Sequence, residues 1–227
     1  MKLFPAAVAA LVIAVAGAQA QPQKTAAPTS PPGSEVMKFA VNRNGGQIGT
    51  YTIELRRAGA ETTVSLETQL AVSVLGFVAY RLEHSASERW VNGKLVSMKT
   101  ATNDNGTPHK VEVAPKGTGM VVEADGKSTQ LDSPVAPASL WNVSLLKQSV
   151  ALDPQKGSLM KMAVTDAGME TITVQGKPLT AHRYAIKSTP AQDKPFSQDV
   201  WYGEKGNLVQ VKFVVSQDGS EISYTLL

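Results

Sequence analysis

From Val36 to the end of the chain, apolar residues recur at every second position, and this constrains the fold more than any other feature. Tyr51, Ile53 and Leu55 alternate with Thr50, Thr52, Glu54 and Arg56. Val64, Leu66, Leu70, Val72 and Val74 oppose Thr63, Ser65, Glu67 and Gln69. Val209, Val211, Phe213 and Val215 oppose Gln210 and Lys212, and Ile222, Tyr224 and Leu226 oppose Glu221, Ser223 and Thr225. Successive strand side chains point to opposite faces, so a period of two marks antiparallel strands with one buried and one wet face. Turn signals separate the runs: Asn44-Gly45-Gly46, Ala58-Gly59, Asn92-Gly93, Asn105-Gly106, Lys116-Gly117, Asp125-Gly126, Ala167-Gly168, Gln175-Gly176, Lys205-Gly206 and Asp218-Gly219. Gly, Asn and Asp reach the positive φ that tight hairpins demand. No stretch longer than about a dozen residues carries a helical period, which excludes parallel βαβ folds.

A large antiparallel sheet with little helix has to curl, because sheets twist and open edges invite aggregation. The expected fold is all-β: a large antiparallel meander curled into an open or closed barrel, with a two-layer sandwich as the other solution. One segment departs from the pattern. Ala138 to Lys147 follows Pro134 and Pro137, spaces Leu140, Trp141, Leu145 and Leu146 as a helix would, and offers Ser139 as N-cap. This predicts one short helix near the middle, either crossing between two sheet halves or plugging an open end.

The N-terminus reads as an address. Lys2 is followed by an apolar run, Ala6 to Ala16, too short to span a bilayer, and Ala18-Gln19-Ala20 offers a small–x–small cleavage site. Residues 1–20 are thus expected to be a signal peptide. Residues 21–34, with Pro22, Pro28, Pro31 and Pro32, form a Pro-rich lead-in without core-forming content. Residues 35–227 are expected to form a single antiparallel β domain, with a split into two β-subdomains near Asp132 to Ala138 as the other reading. No later apolar run is long enough to cross a membrane. The expectation is an exported, periplasmic protein.

Composition narrows the function classes. Lys and Arg number 22 against 19 Asp and Glu, a scattered net charge of +3 that gives no nucleic-acid surface. Cys is absent, which excludes disulfides, thiolate metal sites, a Cys nucleophile and a lipoprotein anchor cysteine. The three histidines, His84, His109 and His182, lie at no metal-binding spacing, so neither a metal nor a cofactor is expected. Ser144–Lys147 and Ser158–Lys161 both match S-x-x-K, but the accompanying K-T-G and S-D-N elements are missing. Asn103-Asp104-Asn105-Gly106 has the composition of a Ca²⁺ loop without its later bidentate Glu, and an Asn-Gly turn explains it better. The apolar run Val72 to Tyr80 is either a membrane- or partner-binding edge or a buried strand bulged at Gly76; the buried strand is the expectation.

The run Tyr80 to Trp90 concentrates the chemistry. As a strand it puts Tyr80, Leu82, His84, Ala86, Glu88 and Trp90 on one face. His84 and Glu88 then stand roughly 13 Å apart along the strand, too far to hydrogen-bond but able to line one cavity. The candidate ligand pocket comprises Tyr80, His84, Glu88, Trp90, Trp141 and Trp201, weighed against ordinary half-buried packing of the same residues.

The order of motifs resembles a family of exported bacterial proteins of unknown function. Phe39-Ala40-Val41 with Asn44-Gly45 and Ile48-Gly49 resembles its F-x-V…D/N-G…I-G start. Tyr80…His84 with Glu88-Arg89-Trp90 and Gly93 resembles its Y-x-x-x-H…E-x-W…G middle, and Thr102 to Gly106 its T-x-D-x-G turn. Trp141-Asn142 with Leu145-Leu146 is similar to its W-N…L-L helix, and Trp201-Tyr202, Gly206 and Tyr224-Thr225-Leu226 to its W-Y…G…Y-x-L ending. The resemblance spans nearly the whole mature domain. It implies export and an all-β fold, and no activity.

The functional expectation is a non-catalytic periplasmic binding or carrier protein for an apolar small molecule, a lipid or another envelope-derived ligand. Two alternatives accompany it. One is a hydrolase or isomerase with acid–base residues assembled across strands, His84, Glu88 and Asp104 being the candidates. The other is an envelope assembly partner that uses an exposed sheet edge.

Overall fold

The computed structural model describes residues 33–191 and 194–227. The expected signal peptide and most of the lead-in lie outside the described residues; Ser34 already belongs to the first strand. Fourteen strands follow: β1 (Ser34–Arg43), β2 (Gly46–Ala58), β3 (Glu61–Val74), β4 (Phe77–Val91), β5 (Lys94–Asp104), β6 (Thr107–Lys116), β7 (Gly119–Ala124), β8 (Lys127–Leu131), β9 (Val150–Leu152), β10 (Leu159–Val174), β11 (Lys177–Pro190), β12 (Phe196–Tyr202), β13 (Leu208–Val214) and β14 (Glu221–Leu226). They form one antiparallel sheet in the order β8-β7-β6-β5-β4-β3-β2-β1-β14-β13-β12-β11-β10-β9. The first and last strands meet in the middle, with Val41 opposite Tyr224. The two edge strands, β8 and β9, are consecutive in the chain, so residues 132–149 must cross the opening of the sheet.

The antiparallel order sorts the turns into two ends. Turns 44–45, 75–76, 105–106, 125–126 and 153–158 lie at one end, called here the upper end. Turns 59–60, 92–93, 117–118, 175–176 and 203–207 lie at the lower end.

The sheet curls onto itself. A Cβ built on Gly157, in the turn between β9 and β10, would come within 2.6 Å of Ala124 Cβ and 3.3 Å of Val111 Cγ1. The turn at one edge thus rests on β6 and β7 of the opposite half. One core results, joining Phe39, Ile53, Val64, Trp90, Met98 and Val111 to Ile186, Val200, Tyr202 and Leu208. Each such side chain contributes about 1.5–3 kcal/mol when fully buried. The barrel does not close by hydrogen bonds, since β8 and β9 do not pair. Instead residues 136–138 cover β9: Ala138 N–H donates to the Leu152 carbonyl at 2.8 Å, and Leu152 N–H to the Ala136 carbonyl at 2.9 Å.

Three sequence expectations are corrected. The helix expected over Ala138–Lys147 is only a short 3-10 helix, Val143–Lys147, capped by Asn142 rather than Ser139. The backbone before it is committed elsewhere. The Leu140 carbonyl accepts from Tyr202 Oη at 2.8 Å, and Ser139 and Trp141 reach Glu88 with their side chains. Ala167-Gly168 is not a turn. Gly168 (φ +85°) sits at a register shift inside the long strand β10. Finally, Val72 to Tyr80 is not a buried strand bulged at Gly76. Leu75 and Gly76 form the β3–β4 turn, and Val74, Leu75, Phe77 and Val78 are exposed.

Candidate functional site

Strand β4 alternates as its sequence implies: Leu82, His84, Ala86, Glu88 and Trp90 are buried, and the residues between them are exposed. In the antiparallel ladders His84 lies between Thr68 of β3 and Thr102 of β5, and Glu88 between Val64 and Met98. The inner wall thus carries a polar row towards the upper end and a buried acid towards the lower end.

His84 is 7% exposed. Its Nδ1 lies 2.8 Å from Thr102 Oγ1. Burial disfavours the imidazolium and pulls the His84 pKa down to about 4, so the ring is neutral at pH 7. Below it, Thr100 Oγ1 is buried without a hydrogen-bond partner among the described residues.

Glu88 is 1% exposed. Its Oε2 accepts from the indole N–H of Trp90 at 2.8 Å and of Trp141 at 2.9 Å, and Ser139 Oγ bonds Oε1. The two indoles meet edge to face, centroids 5.5 Å apart. Among the described residues no cation pairs with this carboxyl. Burial raises its pKa, and the bonds from Ser139, Trp141 and Trp90 oppose that rise. The arrangement fastens the 139–141 segment inside the barrel, and Leu145, fully buried, joins the same core.

The upper half is less full. A cavity of about 140 Å³ is bounded by Tyr51, Leu66, Phe213, Tyr224 and Leu140, with Thr68, His84, Ser139, Gln155 and Gln198 among its polar groups. Tyr51 and Tyr224 meet edge to face at 5.7 Å. Burial pushes the Tyr224 hydroxyl up to about 12 and that of Tyr51 higher still, so both are neutral phenols. A second cavity of about 350 Å³ adjoins it, sharing Ala138, Leu140, Pro154, Gln155 and Gln198, and reaches Met160, Met162, Lys194 and Phe196 at the upper rim. Between them they fall in the ~300–1,000 Å³ range of small-ligand sites.

The sequence candidates are therefore divided. Glu88, Trp90 and Trp141 come together as the fastening of the inner segment, and His84 lines the cavity. Tyr80 stands at the upper rim, its hydroxyl donating to Asp104 Oδ1 at 2.9 Å. Trp201 is apart from the others. Val200 and Tyr202 enter the core, so Trp201 between them points outward, into a small cluster with Ala181 and Val209. There its N–H donates to Glu170 and the Arg183 guanidinium lies 5.4 Å from its ring centroid. Tyr51, Gln198, Phe213 and Tyr224 line the cavity but were not among the sequence candidates. The alternation that placed Tyr51 and Tyr224 on apolar faces was the available signal.

No hydrogen bond joins any two of His84, Glu88 and Asp104: their partners are Thr102, the Ser139–Trp90–Trp141 group and Tyr80 respectively. His109 and His182 each pair with an Asp of a nearby strand or turn, Asp125 and Asp166. Among the described residues no group of three or more His, Cys, Asp or Glu could hold a metal ion, and no helix is long and apolar enough to cross a membrane. Asn103 Oδ1 accepts from Gly106 N–H at 2.9 Å, the geometry of an Asn-Gly turn.

Fold and site define a class: a barrel-like all-β protein, filled at one end by its own inner segment and hollow towards the other. The chain belongs to the family described as Domain of unknown function (DUF6134), which residues 39–227 match. It is similar in fold to the crystal structure of a β-barrel-like protein of the domain of unknown function DUF1849 from Brucella abortus. The TM-score is 0.60 at 10% identity, over 86% of this chain and 94% of that one. A candidate lipoprotein from Parabacteroides distasonis aligns over 86% of this chain and 93% of that one, at 12% identity and a TM-score of 0.35. Among curated proteins none matches.

Proposed function

We propose that this is an exported, non-catalytic binding or carrier protein that holds an apolar, envelope-derived small molecule or lipid chain in the upper half of the barrel. One observation supports this reading above the rest: the cavity beside His84 joins aromatic walls, Tyr51, Phe213 and Tyr224, to a few polar groups, Thr68, Ser139, Gln198 and the neutral His84. Apolar walls supply affinity and sparse polar groups fix orientation. The apolar run Ala6–Ala16 and the Ala18-Gln19-Ala20 site support export. The scattering of His84, Glu88 and Asp104 over three separate hydrogen-bond groups favours binding over acid–base catalysis. The edge strand β8, short and carrying Lys127, has the features by which proteins discourage strand addition, which weakens the assembly-partner reading.

An apolar environment-sensitive dye tests the assignment. Wild-type protein should enhance its fluorescence, and Thr68→Trp, which fills the cavity from the β3 wall, should abolish the response while leaving the protein folded. Equal enhancement by both would overturn the assignment of the cavity.

A further inference from the structure

The β3–β4 hairpin outruns its neighbours. The last β2 pairing of β3 is Gly49 with Leu70, and the uppermost β5 pairing of β4 is Asp104 with Leu82. Beyond these, Ala71–Val74 and Phe77–Tyr80 pair only with each other, a two-stranded ribbon standing roughly 13 Å above the sheet. Its tip is apolar. Leu75 is 93% exposed and Phe77 79%, with Val74 and Val78 also exposed. Val74 and Phe77 face each other on one side, Val78 lies on the other, and Leu75 is the apex. No charged residue occurs between Gln69 and Arg81.

The apex residue is unusual for its backbone. Leu75 holds φ +51°, whereas Asn44, Asn92, Asn105 and Asp125, and in one hairpin Gln175, fill the same position before Gly elsewhere. Asn and Asp tolerate the left-handed region; Leu does not favour it. The position thus keeps an exposed leucine against both solvation and backbone preference.

We infer that this ribbon is a membrane-docking finger, which inserts Leu75 and Phe77 into the outer part of a phospholipid bilayer and sets the upper end of the barrel against it. Contiguous exposed apolar surface of this kind marks a membrane or protein contact. The area decides between them. The tip presents on the order of 500 Å² of apolar surface, below the roughly 600–1,000 Å² that each partner buries in a specific protein interface. An apex of exposed Leu75 with Val74, Phe77 and Val78 beside it gains little from a flat protein face and is covered well by acyl chains. The inward-facing backbone groups pair within the ribbon, and the outward-facing ones stay at the hydrated headgroup level while the side chains of the tip reach the acyl chains. Tyr80 at the base, its hydroxyl held by Asp104, suits the headgroup level, where amphipathic rings collect. Phe196 and Val214, both exposed, lie at the same end on β12 and β13. The inference stands on the ribbon alone and does not depend on the carrier reading, although the second cavity opens at the same end.

The absence of Cys allows a direct test, because a single introduced thiol is labelled uniquely. Ser73→Cys on the ribbon and Lys177→Cys at the lower end are each coupled to a polarity-sensitive fluorophore and mixed with phosphatidylcholine vesicles, whose neutral surface removes any effect of the net positive charge. The label at position 73 should shift to the blue, and that at 177 should not. Flotation of the full chain is then compared with Leu75→Asn, Phe77→Thr, a variant whose Asn suits the turn and whose Thr suits the strand. Vesicle binding should fall by roughly tenfold or more, while the melting temperature holds or rises. The paired comparison is needed because Ala6–Ala16 is itself apolar and could bind vesicles in the parent. An unshifted label at 73, or equal flotation of parent and variant, would overturn the inference.

Discussion

Trp141 donates its indole N–H to Oε2 of Glu88 at 2.9 Å, across a sequence separation of 53 residues, and so ties the segment joining the sheet's two edges to the lower part of β4. The bond fastens the spanning segment inside the curled sheet, whose edge strands stay unpaired. The lower end is filled through this tie, while the upper end stays hollow.

The form of that tie predicts how Glu88 responds to replacement. Glutamine offers one carbonyl oxygen to both indoles and an amide N–H to Ser139 Oγ, so Glu88→Gln should keep stability at neutral pH within about 1 kcal/mol or improve it. Glu88→Ala leaves two buried indole N–H groups unpaired and should cost about 3–5 kcal/mol. The sign with pH follows from the raised carboxyl pKa. Above about pH 4.5 the unfolded chain releases a proton that the folded chain retains, so wild-type stability falls relative to Glu88→Gln as pH rises. Urea denaturation of the three proteins from pH 4 to 8 measures this; equal losses for Gln and Ala would contradict the geometry.

His84 acts in the opposite direction. Its folded pKa, near 4, lies below the ordinary value of 6.5. Below about pH 6.5 the unfolded chain takes up a proton that the folded chain refuses, so stability falls as pH drops towards 4 and the effect then levels off. The full loss is about 3 kcal/mol. His84→Gln should lack this component. Both are best measured in the Glu88→Gln background, which removes the opposing titration. NMR of the His84 ring should show it neutral at pH 5.5; a protonated ring there would refute the assignment.

Gly49 predicts a steric limit on the β2–β3 pairing. A Cβ at this position would lie 1.9 Å from the Gln69 carbonyl oxygen, which is backbone and cannot swing aside. Gly49→Ala should therefore cost about 2–3 kcal/mol although Ala is ordinarily neutral or helpful in a strand. Gly45→Ala, with open space around its Cβ but φ +83°, should cost less, through backbone strain alone. Thermal melts of the two variants compare packing with conformation directly.

Much of this fold was legible because its strands are half-buried. The alternation from Leu82 to Trp90 gave the face of β4, and the Asn-Gly and Asp-Gly pairs gave the hairpins. The rest depended on contacts that no local pattern encodes. Ser139 looked like a helix cap, but its hydroxyl is held by Glu88, 51 residues away. Trp201 reads as a pocket residue by its type, yet Val200 and Tyr202 on either side take the core face, and Trp201 packs in a small outer cluster. Leu75-Gly76 carries no Asn or Asp turn signal, because leucine does not favour the left-handed region. Its exposed apolar apex is what singles the hairpin out.

Native mass spectrometry of protein purified without detergent, before and after organic extraction, tests the binding reading most directly. The expected result is a stoichiometric extra mass that extraction removes and that Thr68→Trp does not retain. A clean apo mass that persists after incubation with an envelope lipid extract would contradict it.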